Sequence, residues 1–273
     1  MSLRKSSLAP GWYPQNSEEI THFLSEFDRV AGSTRAAVAP HAGWSYSGRI
    51  AARAASLLDR VADTLAIIGG HLPAGRKPLF AMEDAVWTPL GNMAVDTELR
   101  AAMLSETAGE GDRSRDNTVE VLLPMARFFL PDASLLWMRL PSEISSFEAG
   151  KALAAVARGQ GRRLAVLASA DLTHYGPGYG FAPKGVGPEA LRWVREVNDR
   201  RFIEAVGSGD PALVLERAGA DSSSCSAGAV LGAMGFAQAM GAGKARLLEY
   251  GTSADAEKPP PPGSFVGYAA FAF

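Results

Sequence analysis

Apolar and polar positions along the chain switch between two periods. From Asn16 to Val30, Ile20, Phe23, Leu24 and Phe27 fall on one helical face, and Asn16 with Glu19 has capping-box spacing. The apolar run Ala36–Ala39 reads as a strand, and a helical pattern follows from about Ser47 to Arg60. Thr64 to Gly70, "TLAIIGG", is apolar without alternation, as expected of a strand covered on both faces. A short edge strand is expected near Val86, ended by Pro89, then a helix capped by Thr97 that runs to Leu104. A helix irregular at Pro124 is expected from Val119 to Phe129.

The alternation continues to the C-terminus. Strands are expected at Ser134 to Leu140 and Arg163 to Ala170, separated by a helix from about Phe147 to Ala157. Helices follow at Pro188 to Val206 and Pro211 to Ala218, and a Gly/Ala-rich core helix begins near Cys225. "ARLLEYG" and "FVGYAAFAF" read as closing strands, with Glu257 to Gly263 between them as a polyproline loop too short to link domains. Strands alternating with helices, and no internal repeat, point to an α/β fold. The expectation is one domain over 1–273, with a mixed or mainly parallel sheet flanked by helices.

Composition narrows the function. The 273 residues are 47% hydrophobic and 21% charged with a formal net charge of -2, so no basic face is implied and nucleic acid is not expected as a partner. A single cysteine excludes an intrachain disulfide and fits a reducing cytoplasm. No signal peptide and no apolar run of roughly 18 residues is read, so no membrane span is expected.

Candidate chemistry sits at strand ends, where α/β sheets gather their sites. Of the four histidines, three have this placement: His41 follows Ala36–Ala39, His71 follows "TLAIIGG", and His174 follows Leu164–Ala168 through Ser169-Ala170-Asp171. His22 lies on the polar side of the first helix and reads as a surface residue. One such histidine would read as a strand cap bonded to a local carbonyl. Three together read as metal chemistry, since imidazole is the commonest metal ligand near neutral pH. Cys225 stands at a helix start among hydroxyls, a setting that favours thiolate, although a lone cysteine is also an ordinary core residue.

These same stretches carry a family resemblance. "APHAGWSYSG", "IIGGHL", "LASADLTHYG" and the single "CSAG" cysteine resemble the Memo family, whose prokaryotic members are called AmmeMemoRadiSam system protein B. "LAPGWYP", "DNTVEVLLP", "LLEYGTSAD" and "FVGYAA" extend the likeness over nearly the whole chain. The resemblance implies a fold like that of class III extradiol dioxygenases. It implies His41, His71 and Cys225 as metal ligands, with His174 beside the metal as an acid/base group and Asp171 next to it. It also implies a pathway link to AMMECR-type and radical-SAM proteins, while the absence of a CxxxCxxC motif means the chain is not itself the radical enzyme. Two departures stand out. The family's "EHSIEMHLP" carries two histidines where this chain has Asn117 and Leu122, and Ser169-Ala170-Asp171 replaces a segment that commonly has two serines.

A His/His/Cys set is softer than the two-histidine, one-carboxylate triad of oxygen-activating iron enzymes. Iron or copper is expected, with zinc as a further option. One reading is a metal-dependent redox or dioxygenase-like enzyme with His174 moving a proton and Trp12, Tyr46 and Asn117 around the substrate. The other is a non-catalytic metal- or peptide-binding module, its cleft lined by Trp12, Trp44 and Tyr46, aromatics that read equally as core. A structural zinc site fits less well, because such sites have four protein ligands.

Overall fold

The computed structural model describes residues 2–28, 33–256 and 263–273. Its strands are β1 (Leu3–Arg4), β2 (Ala36–Ala39), β3 (Thr64–Leu72), β4 (Leu79–Phe80), β5 (Ala85–Val86), β6 (Met93–Ala94), β7 (Glu110–Gly111), β8 (Ser134–Pro141), β9 (Leu164–Ser169), β10 (His174–Tyr175), β11 (Arg246–Thr252) and β12 (Phe265–Ala272). Its helices are α1 (Ser17–Ser25), α2 (Trp44–Ser56), α3 (Thr97–Glu106), α4 (Asn117–Glu120), α5 (Leu123–Phe129), α6 (Ser145–Gly159), α7 (Pro188–Trp193), α8 (Asp199–Ser208), α9 (Pro211–Ala220) and α10 (Ala227–Ala239).

The main sheet is mixed, in the order β10-β12-β2-β9-β3-β8-β4-β7, with β11 also paired to β12. Its centre is parallel: β2 pairs β9, β9 pairs β3 and β3 pairs β8 in that sense. β12 and β4 run antiparallel to β2 and β8. Both faces of the sheet are covered. Leu65 and Ile67 pack with Leu24, Ala51 and Leu123 on one side; Ala66 and Ile68 pack with Leu153, Val230 and Phe236 on the other. That is why β3 reads as continuously apolar rather than alternating. The expected α/β architecture is therefore present.

Several boundaries move for local reasons. Gly43 caps α2, so the helix begins at Trp44 rather than Ser47, and it ends at Ser56. Asn16 caps α1 by accepting the Glu18 N–H at 2.7 Å, not through Glu19, and α1 stops at Ser25; 29–30 of the longer expected helix lie outside the described residues. Asp96, not Thr97, caps α3 by accepting the Leu99 N–H at 3.0 Å. The segment around Pro124 is two helices, α4 and α5, with the proline in the first turn of α5, where its missing N–H costs nothing. Val86 belongs to a separate small sheet, β1-β5-β6. The helix expected from Pro188 widens into a π turn at Val194–Asn198 before α8 resumes. Of the proline-rich loop, 257–262 lie outside the described residues. Among the described residues no helix is long and apolar enough to cross a membrane.

Candidate metal centre

Three neighbouring parallel strands end side by side, and the site is built on those ends. β2 delivers His41, β9 delivers Ser169 and then Asp171, and β3 delivers His71. Cys225 comes from the other side, one residue before Ser226, the N-cap of α10. Its loop is tied to the β9 end, because Cys225 N–H and Ser224 Oγ both donate to the Asp171 carbonyl, at 3.3 and 3.2 Å. β3 and α10 approach so closely that a side chain on Gly70 would overlap Ser226. The glycine before His71 is thus a packing requirement.

One donor atom from each of His41, His71 and Cys225 lies within 4.8 Å of the other two. His41 Nε2 is 3.3 Å from Cys225 Sγ. Nitrogen and sulfur donors around a tetrahedral ion with ordinary bond lengths stand about 3.5 Å apart, so the pair is already at ligand spacing. Both rings are held from behind. His41 Nδ1 is 2.8 Å from Ser169 Oγ, and His71 Nδ1 is 3.0 Å from Asp116 Oδ2. Tying Nδ1 leaves Nε2 for the centre, the arrangement that outer partners impose on ligand histidines. His41 is buried, His71 is exposed with its side chain 32% accessible, and Cys225 is part-exposed.

The electrostatics favour a thiolate beside imidazolium. Burial acts to raise the Cys225 thiol, but the His41 charge and polar contacts with His174, His41 and His71 outweigh it and hold the thiol well below its ordinary value. Burial likewise acts to lower His71, but hydrogen bonds to Asp116 and Cys225 lift it to about 10. Asp116 is held at about 2: burial opposes this, and the bonds from His71 and Thr118 and the Arg139 charge prevail.

His174 and Asp171 complete the wall. Asp171 is buried; its Oδ1 accepts the His41 N–H at 2.7 Å, and its Oδ2 lies 3.9 Å from His174 Nε2. The two side chains therefore face each other, although nothing in their spacing required it. His174 opens β10 rather than standing in a loop, and its ring meets Tyr179 edge-on at 5.0 Å. A cavity of about 370 Å³ opens over this wall, lined by Trp12, Tyr46, Asn117 and Tyr268 together with His41, His71, Asp171 and His174.

The other expected residues divide. Trp12 and Tyr46 line the cavity. Asn117 lines it too, but its amide donates to the His41 carbonyl at 3.0 Å, so part of its capacity holds the turn. Trp44 is core, with its indole N–H donating to the Val121 carbonyl at 3.1 Å and its ring against Phe23. Leu122 is buried core as well. Sequence reasoning missed Asp116, whose place as the N-cap of α4 conceals its bond to His71. It also missed Tyr179 and Tyr268 in the cavity wall.

A metal-free thiolate of this kind gives a direct chemical prediction. Cys225 should be alkylated rapidly by iodoacetamide in chelator-treated protein and protected once metal is restored. Equal, slow labelling in both states would mark it as an inert core cysteine.

Comparison with known proteins agrees with the motifs. The family model described as "Memo-like protein" matches residues 4–272. A MEMO1 family protein from Archaeoglobus fulgidus is 30% identical over 99% of both chains, and one from Pyrococcus abyssi is 30% identical over 98% of both. Among solved structures, an uncharacterized Escherichia coli K12 protein covers 87% of this chain and 99% of its own at 12% identity, with a TM-score of 0.42. A match of that kind has no bearing on function. With the motifs, the site and both archaeal relatives aligned end to end, the chain belongs to the Memo family.

Proposed function

We propose that this Memo-family chain binds one metal ion through His41, His71 and Cys225 and carries out metal-dependent redox or dioxygenase-like chemistry on a small ligand in the cleft. The observation that carries this reading is the convergence of three donor atoms within 4.8 Å, with both imidazoles tied at Nδ1 and a cavity open beside them. Iron or copper suits a set of two imidazoles and one thiolate, and zinc is a further option. A metal held there supplies Lewis acidity and, for iron or copper, one-electron chemistry.

The chain's own residues do the rest. Ser169 and Asp116 orient the ligand rings. Trp12 and Tyr46 flank a bound molecule, which their rings shield from water. His174 lines the cavity with its Nε2 3.9 Å from Asp171 Oδ2 and moves a proton to or from that molecule, and the Asp171 carboxyl steadies the imidazolium. His174→Ala is expected to keep its metal and to lose activity by roughly 10²–10⁴-fold, the usual span for a removed acid/base group. Loss of the metal itself in that variant would make His174 a ligand and return Cys225 to the core reading.

A second reading draws on the replaced family histidines. Asn117 is bonded to the His41 carbonyl and Leu122 is in the core, so His174 is the one imidazole at the cavity beyond the two proposed ligands among the described residues. A module that binds metal or a peptide without turnover would need no more. In that case His174→Ala changes ligand affinity and there is no activity to lose.

A further inference from the structure

His71 is an unusual place to hang a ligand. Its backbone is left-handed, with φ 54, a conformation disfavoured for residues other than glycine. Its side chain is also part-exposed. Something must hold both the backbone and the ring, and Asp116 bonds only the ring.

The group that reaches both this backbone and the ring's partner Asp116 is Arg139 on β8, 3% exposed. Its Nε donates to the Gly70 carbonyl at 2.9 Å, and one terminal nitrogen reaches the His71 carbonyl at 3.5 Å. That same nitrogen is 3.1 Å from Asp116 Oδ2, the oxygen bonded to His71 Nδ1. The other terminal nitrogen donates to Ser114 Oγ at 2.5 Å and lies 3.6 Å from Asp112 Oδ1. Asp112 is fixed in turn by the Trp137 indole N–H at 3.2 Å.

We infer that Arg139 is a positioning residue for His71, one guanidinium clamping the strained turn and aiming the carboxylate that orients the imidazole. A planar fork with five N–H donors reaches two carbonyls and a carboxylate at once; an ammonium cannot. Burying the charge is supported by Asp112 and Asp116 on either side. This inference rests on the metal reading above, and its test separates the two.

Co²⁺ is titrated into the metal-free full chain, with affinity taken from chelator competition and the thiolate-to-cobalt charge-transfer band recorded. Arg139→Gln is expected to bind Co²⁺ about 10- to 100-fold more weakly, the range for a lost outer partner of a ligand. Arg139→Lys keeps a charge between Asp112 and Asp116 and should fold even if the glutamine variant does not; it too should bind more weakly, with a changed cobalt spectrum. Arg162→Gln, which breaks the ion pair to Asp96 at 2.8 Å on another part of the molecule, should lower the Tm and leave affinity unchanged. Wild-type affinity and spectrum in folded Arg139→Lys would overturn the inference. If the wild type itself takes up no Co²⁺, the metal reading fails, and the clamp is judged from the His71 imidazole NMR signal. That signal should broaden or shift in Arg139→Lys, and an unchanged one would overturn the inference.

Discussion

Replacing His71 with alanine is expected to weaken metal binding by more than about 100-fold. An outer partner of a ligand is worth roughly 10- to 100-fold in affinity, and a ligand atom itself must be worth more. Removing this ring leaves two donors, His41 Nε2 and Cys225 Sγ, 3.3 Å apart, which hold an ion from one side only. The fold should survive, because His71 is exposed and its loss relieves Asp116 of one bond while Thr118 and Arg139 still hold it. Circular dichroism together with metal analysis on one preparation checks both halves. A folded variant that retains a full equivalent of metal would remove His71 from the ligand set.

Gly235→Ala should destabilise the fold strongly. α10 crosses α6 at backbone contact, and a Cβ on Gly235 would overlap the Phe147 carbonyl. No rotamer relieves a clash with backbone, so the cost falls at the upper end of the range for overpacking, about 3 kcal/mol. For a chain of this size that is a fall of roughly 6–12 °C in Tm. The same methyl on Gly159, in the last turn of α6, meets nothing within 4 Å and removes a flexible residue from a helix. Gly159→Ala should therefore be neutral or stabilising by up to about 1 kcal/mol. Thermal melts of the two variants side by side test the packing of α10, the helix that follows Cys225. Similar melting temperatures for both would contradict it.

The parts legible in the sequence were those set by local apolar pattern. Ala36–Ala39 and "TLAIIGG" are strands because every position is buried, and a strand covered on both faces leaves an unbroken apolar run. The strand-end placement of His41 and His71 followed from those runs and from the parallel sheet they imply. What the pattern could not show were contacts between residues far apart in sequence. Asp116 is an N-cap by local reading and a histidine partner only across 45 residues. Arg139 looks like a polar interruption in β8 until Gly70 and Asp116 are seen around it. Trp44 reads equally as cleft or core, and only the Val121 carbonyl and Phe23 ring decide for core. The π turn at Val194–Asn198 left no sign in a helical periodicity that continues through it.

The most direct measurement is elemental analysis of the chain purified without oxygen, followed by reconstitution of chelator-treated protein with iron, copper and zinc in turn. One equivalent of metal per chain is expected, for at least one of these ions, and it should be lost when His41, His71 or Cys225 is replaced singly. A folded wild-type chain that takes up no stoichiometric ion under any of these conditions would contradict a metal centre at the ends of β2 and β3.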